Sequence, residues 1–171
     1  MQEKFPLDSL TVLTDLVLPG ETNPLNNLFG GELLARIDRA ASITARRHSR
    51  RICVTASVNH VAFNRAIPLG AVVTIEAKVS RTFTSSMEIV IDVWTEDRES
   101  GIKNSAGQAI YTFVAVDDTG NPVPVPPVVP QTEEEKKRFE AALRRKQLSL
   151  ILAGKMKPAD ATELKALFAG E

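Results

Sequence analysis

One aspartate, Asp38, lies on what the sequence predicts to be the apolar face of a helix. Leu34 precedes it by four residues and Ala41 follows it by three, which is the spacing of side chains on one helical face. A carboxylate among apolar side chains is costly unless it has a partner or a chemical role. Asp38 is therefore a candidate general base. The alternative is that it lies at the edge of the apolar stripe and pairs with Arg36 or Arg39.

A polar loop that ends in two glycines comes directly before this helix. It runs from Asn23 to Gly31 and reads Asn-Pro-Leu-Asn-Asn-Leu-Phe-Gly-Gly. Free amides at a helix N-terminus attract negative charge, and glycine lets a carbonyl oxygen approach the backbone closely, so Gly30 and Gly31 could form an oxyanion hole. Ordinary turn chemistry also explains the loop when it is considered alone. With Asp38 two turns further on, the pattern predicts amides that polarise a carbonyl and a carboxylate that activates water.

The other reactive residues give weaker signals. Arg81 and the hydroxyls of Thr84, Ser85 and Ser86 could hold a phosphate or a pantetheine amide, but they are equally compatible with an ordinary hairpin turn. His48 is expected on a solvated, basic helix end, His60 on a strand, and Cys53 in the core without a chemical task. Neither a G-x-S-x-G elbow nor a G-x-G-x-x-G or P-loop motif occurs, which argues against a serine hydrolase and against nucleotide chemistry of those types.

Composition narrows the classes of function further. The 171 residues allow one domain and an appendage, and 21 basic residues balance 21 acidic ones, which disfavours nucleic acid as a partner. A single cysteine excludes an internal disulfide, and no cysteine or histidine cluster predicts a metal site. Neither a leader nor an apolar run of about eighteen residues is found, so we expect a cytoplasmic protein without membrane insertion. Zero net charge is compatible with self-association.

The elements that must position these residues are one helix and several strands. We predict a helix from Gly30 that ends before Arg51, and strands at Leu7–Leu18, Ile52–Phe63, Val72–Phe83, Met87–Glu96 and Ala109–Val116. Strands grouped after one helix favour an α+β fold in which an antiparallel sheet carries the helix on one face. A proline-rich connector, 121–130, then precedes a helix from Thr132 to about Leu150 and a short helix that begins at Pro158. The predicted domains are 1–127 and 128–171.

The sequence resembles the hotdog-fold acyl-CoA thioesterases, in particular the bacterial and brain-type acyl-CoA hydrolases. The resemblance covers roughly residues 8 to 127 and rests on the order of five segments: Leu18–Asn23, Asn27–Gly31 followed by Asp38, Cys53–Thr55, Thr84–Ile89 and Tyr111–Val116. It implies a curled antiparallel β-sheet wrapped around a central helix, with a C-terminal helical extension.

The resemblance also implies a reaction, which is hydrolysis of an acyl-CoA to a free acid and CoA without a metal or an organic cofactor. Asp38 would be the general base or the nucleophile, Asn23 would orient water or the carbonyl, and the amides of Gly31 and Gly30 would bind the oxyanion. In the family the asparagine and the acid of one site belong to different subunits, so we expect a hotdog dimer that assembles further into a hexamer, a trimer of dimers.

Two loop positions depart from the usual family pattern and bear on substrate preference. Asn27 is part of Asn-Asn where a glycine is common, and Phe29 replaces a frequent histidine. With Arg81, Thr84, Ser85 and Ser86, they complete the predicted substrate- and CoA-binding residues. The Arg144–Lys146 run in the C-terminal helix is a candidate for CoA phosphates or a neighbouring subunit, or is simply solvated. Two other functions stay open: a non-catalytic acyl-CoA sensor, and an enoyl-CoA hydratase, which is disfavoured because no histidine follows Asp38 by three to five residues.

Overall fold

A computed structural model describes residues 1–168 of the chain. The chain divides into two compact units, Met1–Val129 and Pro130–Glu171. Among residues 1–168, none of the helices combines the length and the apolar character that a membrane crossing would require.

The first unit is built on one five-stranded antiparallel sheet. The strands lie in the order β1-β3-β4-β5-β2, so that β1 and β2 form its two edges. Their bounds are Thr11–Leu16 for β1, Ile52–Phe63 for β2, Val72–Thr82 for β3, Ser86–Glu96 for β4 and Lys103–Val116 for β5. The predicted sheet class is therefore confirmed.

A single long helix, α1 (Gly30–Ser49), packs on one face of this sheet. The strand residues that alternate toward α1 are almost fully buried: Val73, Ile75, Ala77 and Val79 on β3, and Met87, Ile89, Ile91 and Val93 on β4. Small helix residues let the backbones approach, since Ala40, Ala41 and Ala45 have no exposed surface. The Thr44 hydroxyl donates a hydrogen bond to the Ala77 carbonyl at 3.3 Å.

The ends of α1 follow from the sequence. Glu32 in the first turn and Arg46 and Arg47 in the last turn complement the helix dipole. Arg50 ends the helix in the left-handed conformation, with φ 56°.

The predictions for the first strand, the last strand and His48 need correction. The first strand is shorter than Leu7–Leu18, because Pro6–Ser9 forms a 3-10 turn in which Asp8 accepts a hydrogen bond from the Phe5 amide. The last strand begins at Lys103 rather than Ala109, because its polar first half pairs with β4. His48 has no exposed surface, whereas a solvated side chain was expected. Its Nε2 lies 2.8 Å from the carbonyl oxygen of Pro126 in the connector, which covers the ring.

The second unit contains α2 (Glu133–Leu152), which Thr132 caps. The Thr132 hydroxyl accepts a hydrogen bond from the Glu135 amide, and the Glu135 carboxylate accepts one in return from the Thr132 amide. The short helix predicted from Pro158 is instead a 3-10 turn, Pro158–Asp160, and a separate turn of helix, α3 (Thr162–Lys165).

Candidate active site

The carboxylate of Asp38 is half-buried in the middle of α1 and is held by a residue of the neighbouring edge strand. The hydroxyl of Thr55 on β2 donates a hydrogen bond to Asp38 Oδ1 at 2.9 Å. Neither Arg36 nor Arg39 forms an ion pair with Asp38 within residues 1–168. The alternative in which Asp38 pairs with one of these arginines is therefore wrong. Arg36 is buried and binds Glu21 Oε2 at 2.7 Å.

A buried tyrosine completes the surroundings of this carboxylate. Tyr111 on β5 is 2% exposed, and its pKa is raised, first by burial and then by the negative charge of Asp38. The phenol therefore stays protonated at neutral pH.

The loop before α1 is fixed by the side chain of Asn23. Its Oδ1 accepts hydrogen bonds from the amides of Leu25 at 2.9 Å and Asn27 at 3.2 Å, and the Asn23 amide donates to the Asn27 carbonyl at 2.8 Å. Asn23 has no other side-chain hydrogen bond among the described residues, which leaves the Nδ2 donor available to a ligand.

A cavity of about 420 Å³ lies beside this loop. Its polar lining comes from Asn23, Asn27, Gly30, Asn64 and Arg65, and its apolar walls include Leu33 and Phe63. The structure thus brings together three of the predicted site residues around one space that is large enough for part of a ligand.

Gly30 and Gly31 form the first turn of α1, where amide groups lack helical acceptors. The carbonyl of Phe29 already accepts the amides of Glu32 and Leu33, at 3.0 and 3.1 Å. A Cβ atom on Gly31 would lie 2.9 Å from Cε1 of Phe29, so the exposed Phe29 ring closely covers this backbone. These amides can donate to a developing oxyanion.

The predicted CoA-binding hairpin lies at the other end of the sheet from this cavity. Ser86 in the hairpin pairs with Val114 on β5, and Val114 pairs with Val54 on β2, so the hairpin lies level with Val54. Phe63, which lines the cavity, lies nine residues further along β2, roughly 30 Å away at the usual rise of a strand. Ser86 is buried, Thr84 is exposed and Ser85 is half-buried. The guanidinium of Arg81 lies 5.8 Å from the ring centroid of Phe83.

Asp38 also lies apart from the loop cavity of its own chain. Eight residues separate it from Gly30, which is about 12 Å along a helix. One chain therefore presents the carboxylate and the amide-lined cavity as two separate surfaces.

Sequence reasoning missed Thr55 as a candidate site residue. The only signal in the sequence was that Thr55 belongs to the Cys53–Thr55 segment. In the structure, Thr55 pairs with Phe113, and this register directs its side chain to the face of the sheet that carries α1. Cys53 is half-buried rather than part of the core, with Sγ 3.1 Å from the Ser49 hydroxyl oxygen. Burial raises the pKa of its thiol, which makes Cys53 a poor nucleophile at neutral pH.

An antiparallel sheet curled around one long helix, with a carboxylate on that helix and free amides at its start, defines a hotdog-fold protein. The thioesterase superfamily model matches residues 25–102. The acyl-CoA thioester hydrolase YkhA of Bacillus subtilis, described as uncharacterized, is 44% identical over 144 residues, which cover 84% of each protein. The chain belongs to the hotdog-fold acyl-CoA thioesterases.

Solved structures agree with this assignment. A hexameric acyl-CoA thioesterase in its apo form has a TM-score of 0.86 and 39% identity, covering 90% of this chain and 98% of its own. An acyl-CoA hydrolase from Staphylococcus aureus, in complex with butyryl coenzyme A and coenzyme A, has a TM-score of 0.82 and 34% identity, covering 96% and 99%. Alanine variants of that hydrolase replace an asparagine, an aspartate and a threonine that follow one another at the separations of Asn23, Asp38 and Thr55.

Proposed function

We propose that this chain hydrolyses acyl-CoA thioesters to a free acid and CoA, with Asp38 as the general base. The 2.9 Å hydrogen bond from Thr55 to Asp38 carries the proposal, because it fixes the orientation of a carboxylate on a half-buried helix face. The alanine variants of the Staphylococcus aureus hydrolase support it, since they concern residues of the same types at the same separations.

In the proposed reaction Asp38 takes a proton from water, and the water oxygen adds to the thioester carbonyl carbon. The amides of Gly30 and Gly31 donate hydrogen bonds to the oxyanion that forms, and Asn23 Nδ2 orients the carbonyl or the water. The carbon–sulfur bond then breaks, and the thiolate of CoA receives the proton held by Asp38. A thiol is far more acidic than an alcohol, so this leaving group departs without a strong acid.

The complete site would combine two copies of the chain. About 12 Å of helix separates Asp38 from Gly30 within one chain, so a second copy is needed to place the loop cavity against the carboxylate. The edge strand β2 offers the surface for that contact, because it exposes a row of large apolar side chains: Ile52, Val54, Val58 and Phe63. By analogy with the hexameric neighbour, we propose that such dimers assemble into a hexamer.

Neither a metal ion nor an organic cofactor takes part in the proposed reaction, because each step uses only groups of the chain and water. We place the reaction in the cytosol. The unpaired thiol of Cys53 is compatible with that reducing compartment.

Release of CoA from a panel of acyl-CoAs, followed with a thiol reagent, tests the proposal. We expect turnover by the full chain, undiminished by a chelator, and a fall in kcat of about a hundredfold or more in the Asp38→Asn variant. This change removes the charge but preserves the shape, and thermal unfolding checks that the variant is folded. Binding of acyl-CoA without thiol release, or near-normal turnover by folded Asp38→Asn, would contradict the proposal.

A further inference from the structure

Tyr111 places a phenol on the face of the sheet that carries α1 and the proposed catalytic base. It lies in β5 between Ala109 and Phe113, and the exposed fractions of Ala109, Tyr111 and Phe113 are 0%, 2% and 0%. Its partner on β4, Ile89, is buried on the same face. The hydroxyl of Tyr111 is therefore a polar group in an otherwise apolar row of the core.

The pairing of β5 with β2 brings Tyr111 beside Thr55. Thr55 pairs with Phe113, and a bulge between Thr55 and Ser57 shifts the register by one residue before Val58 pairs with Tyr111. Tyr111 and Thr55 are thus diagonal neighbours, about 7–8 Å apart, which is within the reach of an aromatic side chain. Both side chains point into the same space beneath α1.

The hydroxyl of Tyr111 is unengaged although its ring is buried. Among residues 1–168 it neither donates nor accepts a hydrogen bond. The described side-chain atoms that lack both a hydrogen-bond partner and contact with solvent are Arg36 Nη1, His48 Nδ1 and Trp94 Nε1, and the Tyr111 oxygen is not among them. This oxygen therefore has no protein partner and is open to water at its tip.

One carboxylate oxygen of Asp38 is equally unengaged. Oδ1 accepts the hydrogen bond from Thr55 at 2.9 Å, whereas Oδ2 accepts none from the part of the chain that the structure describes. The negative charge of Asp38 raises the pKa of Tyr111, so the carboxylate is near enough to act on the phenol. The two groups are thus neighbours without a direct hydrogen bond, an arrangement that one water molecule can bridge.

We propose that the Tyr111 oxygen is the second hydrogen-bond partner of the water molecule that Asp38 activates. The inference rests on the proposed function, in which Asp38 takes a proton from water. One hydrogen of this water points to Asp38 Oδ2 and the other to Tyr111 Oη, so that a lone pair of the water faces the thioester carbonyl. An uncharged phenol accepts such a bond through its oxygen lone pairs and keeps its own proton throughout, and a bound water needs at least two polar partners. Asn23 is then left to orient the carbonyl.

Competition between water and methanol tests the inference in the full chain. Methanol has one hydroxyl hydrogen, which Asp38 accepts, and no second hydrogen for Tyr111, and its attack on an acyl-CoA yields a methyl ester and CoA. We expect Tyr111→Phe to lower kcat for hydrolysis about threefold to tenfold, as for the loss of one hydrogen bond between uncharged groups, with KM unchanged. At a fixed methanol concentration, the ratio of methyl ester to free acid should rise by the same factor, because methanolysis does not use the lost bond.

Two other hydroxyl groups serve as comparisons. Thr112→Val is the matched control, because it removes a hydroxyl from the next residue of β5, which lies on the opposite face and accepts a hydrogen bond from Asn59 Nδ2 at 2.9 Å. Its kcat and product ratio should equal those of the wild type. Ser42→Ala tests the rival hydroxyl, which lies one turn after Asp38 on α1. A raised product ratio in Ser42→Ala, with a wild-type ratio in Tyr111→Phe, would move the second contact of the water to α1 and overturn the inference.

Two further results would overturn the inference: a wild-type kcat in Tyr111→Phe, or equal falls in the formation of acid and ester, which would give Tyr111 a purely structural role. The product ratio counts only folded, active molecules, so partial unfolding of the variant does not imitate the expected change. A wild-type protein that releases no CoA would overturn the proposed function together with the inference. Normal turnover by the wild type and Thr112→Val, with an unchanged product ratio in Tyr111→Phe, would overturn the inference alone.

Discussion

Replacement of Thr55 by valine removes the one side-chain hydrogen bond that Asp38 accepts among residues 1–168, while it preserves the shape of the residue. The donor is a hydroxyl and the acceptor a carboxylate oxygen at 2.9 Å, and a hydrogen bond of this kind is worth about 1.5–3 kcal/mol when it is shielded from water. Since Thr55 itself is exposed, the lower end of that range applies. We therefore expect kcat to fall about tenfold, because a loss of about 1.4 kcal/mol in activation free energy lowers a rate tenfold.

The assay is steady-state thiol release from an acyl-CoA by Thr55→Val, Thr55→Ser and wild-type protein. Serine retains the hydroxyl, so Thr55→Ser should stay within about threefold of the wild-type kcat, and KM should change little in either variant. Equal losses in the serine and valine variants would refute the reasoning, because they would make the methyl group, and not the hydrogen bond, responsible. A wild-type kcat in folded Thr55→Val would refute the positioning role altogether.

Two further predictions concern stability. Burial lowers the pKa of His48 below its ordinary value of 6.5, so the folded state binds fewer protons than the unfolded chain, and the free energy of unfolding should fall as the pH drops below about 6.5. Urea unfolding at several pH values should show this fall in the wild type and a weaker one in His48→Gln. Equal falls in the two proteins would exclude His48 as the cause. A Cβ atom on Gly107 would lie 2.5 Å from the Ala62 carbonyl oxygen, so Gly107→Ala should lower the free energy of unfolding by about 1–3 kcal/mol. Gly20 has open space around it, so Gly20→Ala should change the free energy of unfolding little. Similar values for the two variants would contradict the close contact of β2 and β5.

Local patterns were sufficient to predict most of the fold. The bounds of β2 were predicted to the residue, because a run of strand-forming residues follows a basic helix end, and the alternation in β3 and β4 identified their buried faces. The start of β5 was missed because Lys103–Gln108 has no apolar alternation, and pairing with β4 alone makes it a strand. The burial of His48 was missed because Pro126, 78 residues away, covers it.

The candidate site divides in the same way. Asp38 and the loop glycines were found because their signals lie within one helix and the residues before it. Thr55 was not, because its hydrogen bond to Asp38 depends on β2 packing beside α1, a contact between distant parts of the sequence. In the proposed shared site, Asn23 would approach Asp38 from a second copy of the chain, an arrangement that spacing within one sequence does not define.

Mixing two inactive variants tests most directly whether hydrolysis takes place at a site shared by two copies. Asp38→Ala and Asn23→Ala are unfolded together and refolded, so that about half of the dimers contain one chain of each kind. Each mixed dimer then has one site with both residues intact, and we predict recovery of about a quarter of wild-type thiol release. A mixture of Asp38→Ala with Asp38→Asn is the control and should recover none. Absence of recovery in mixed assemblies, verified by mass, would contradict the account.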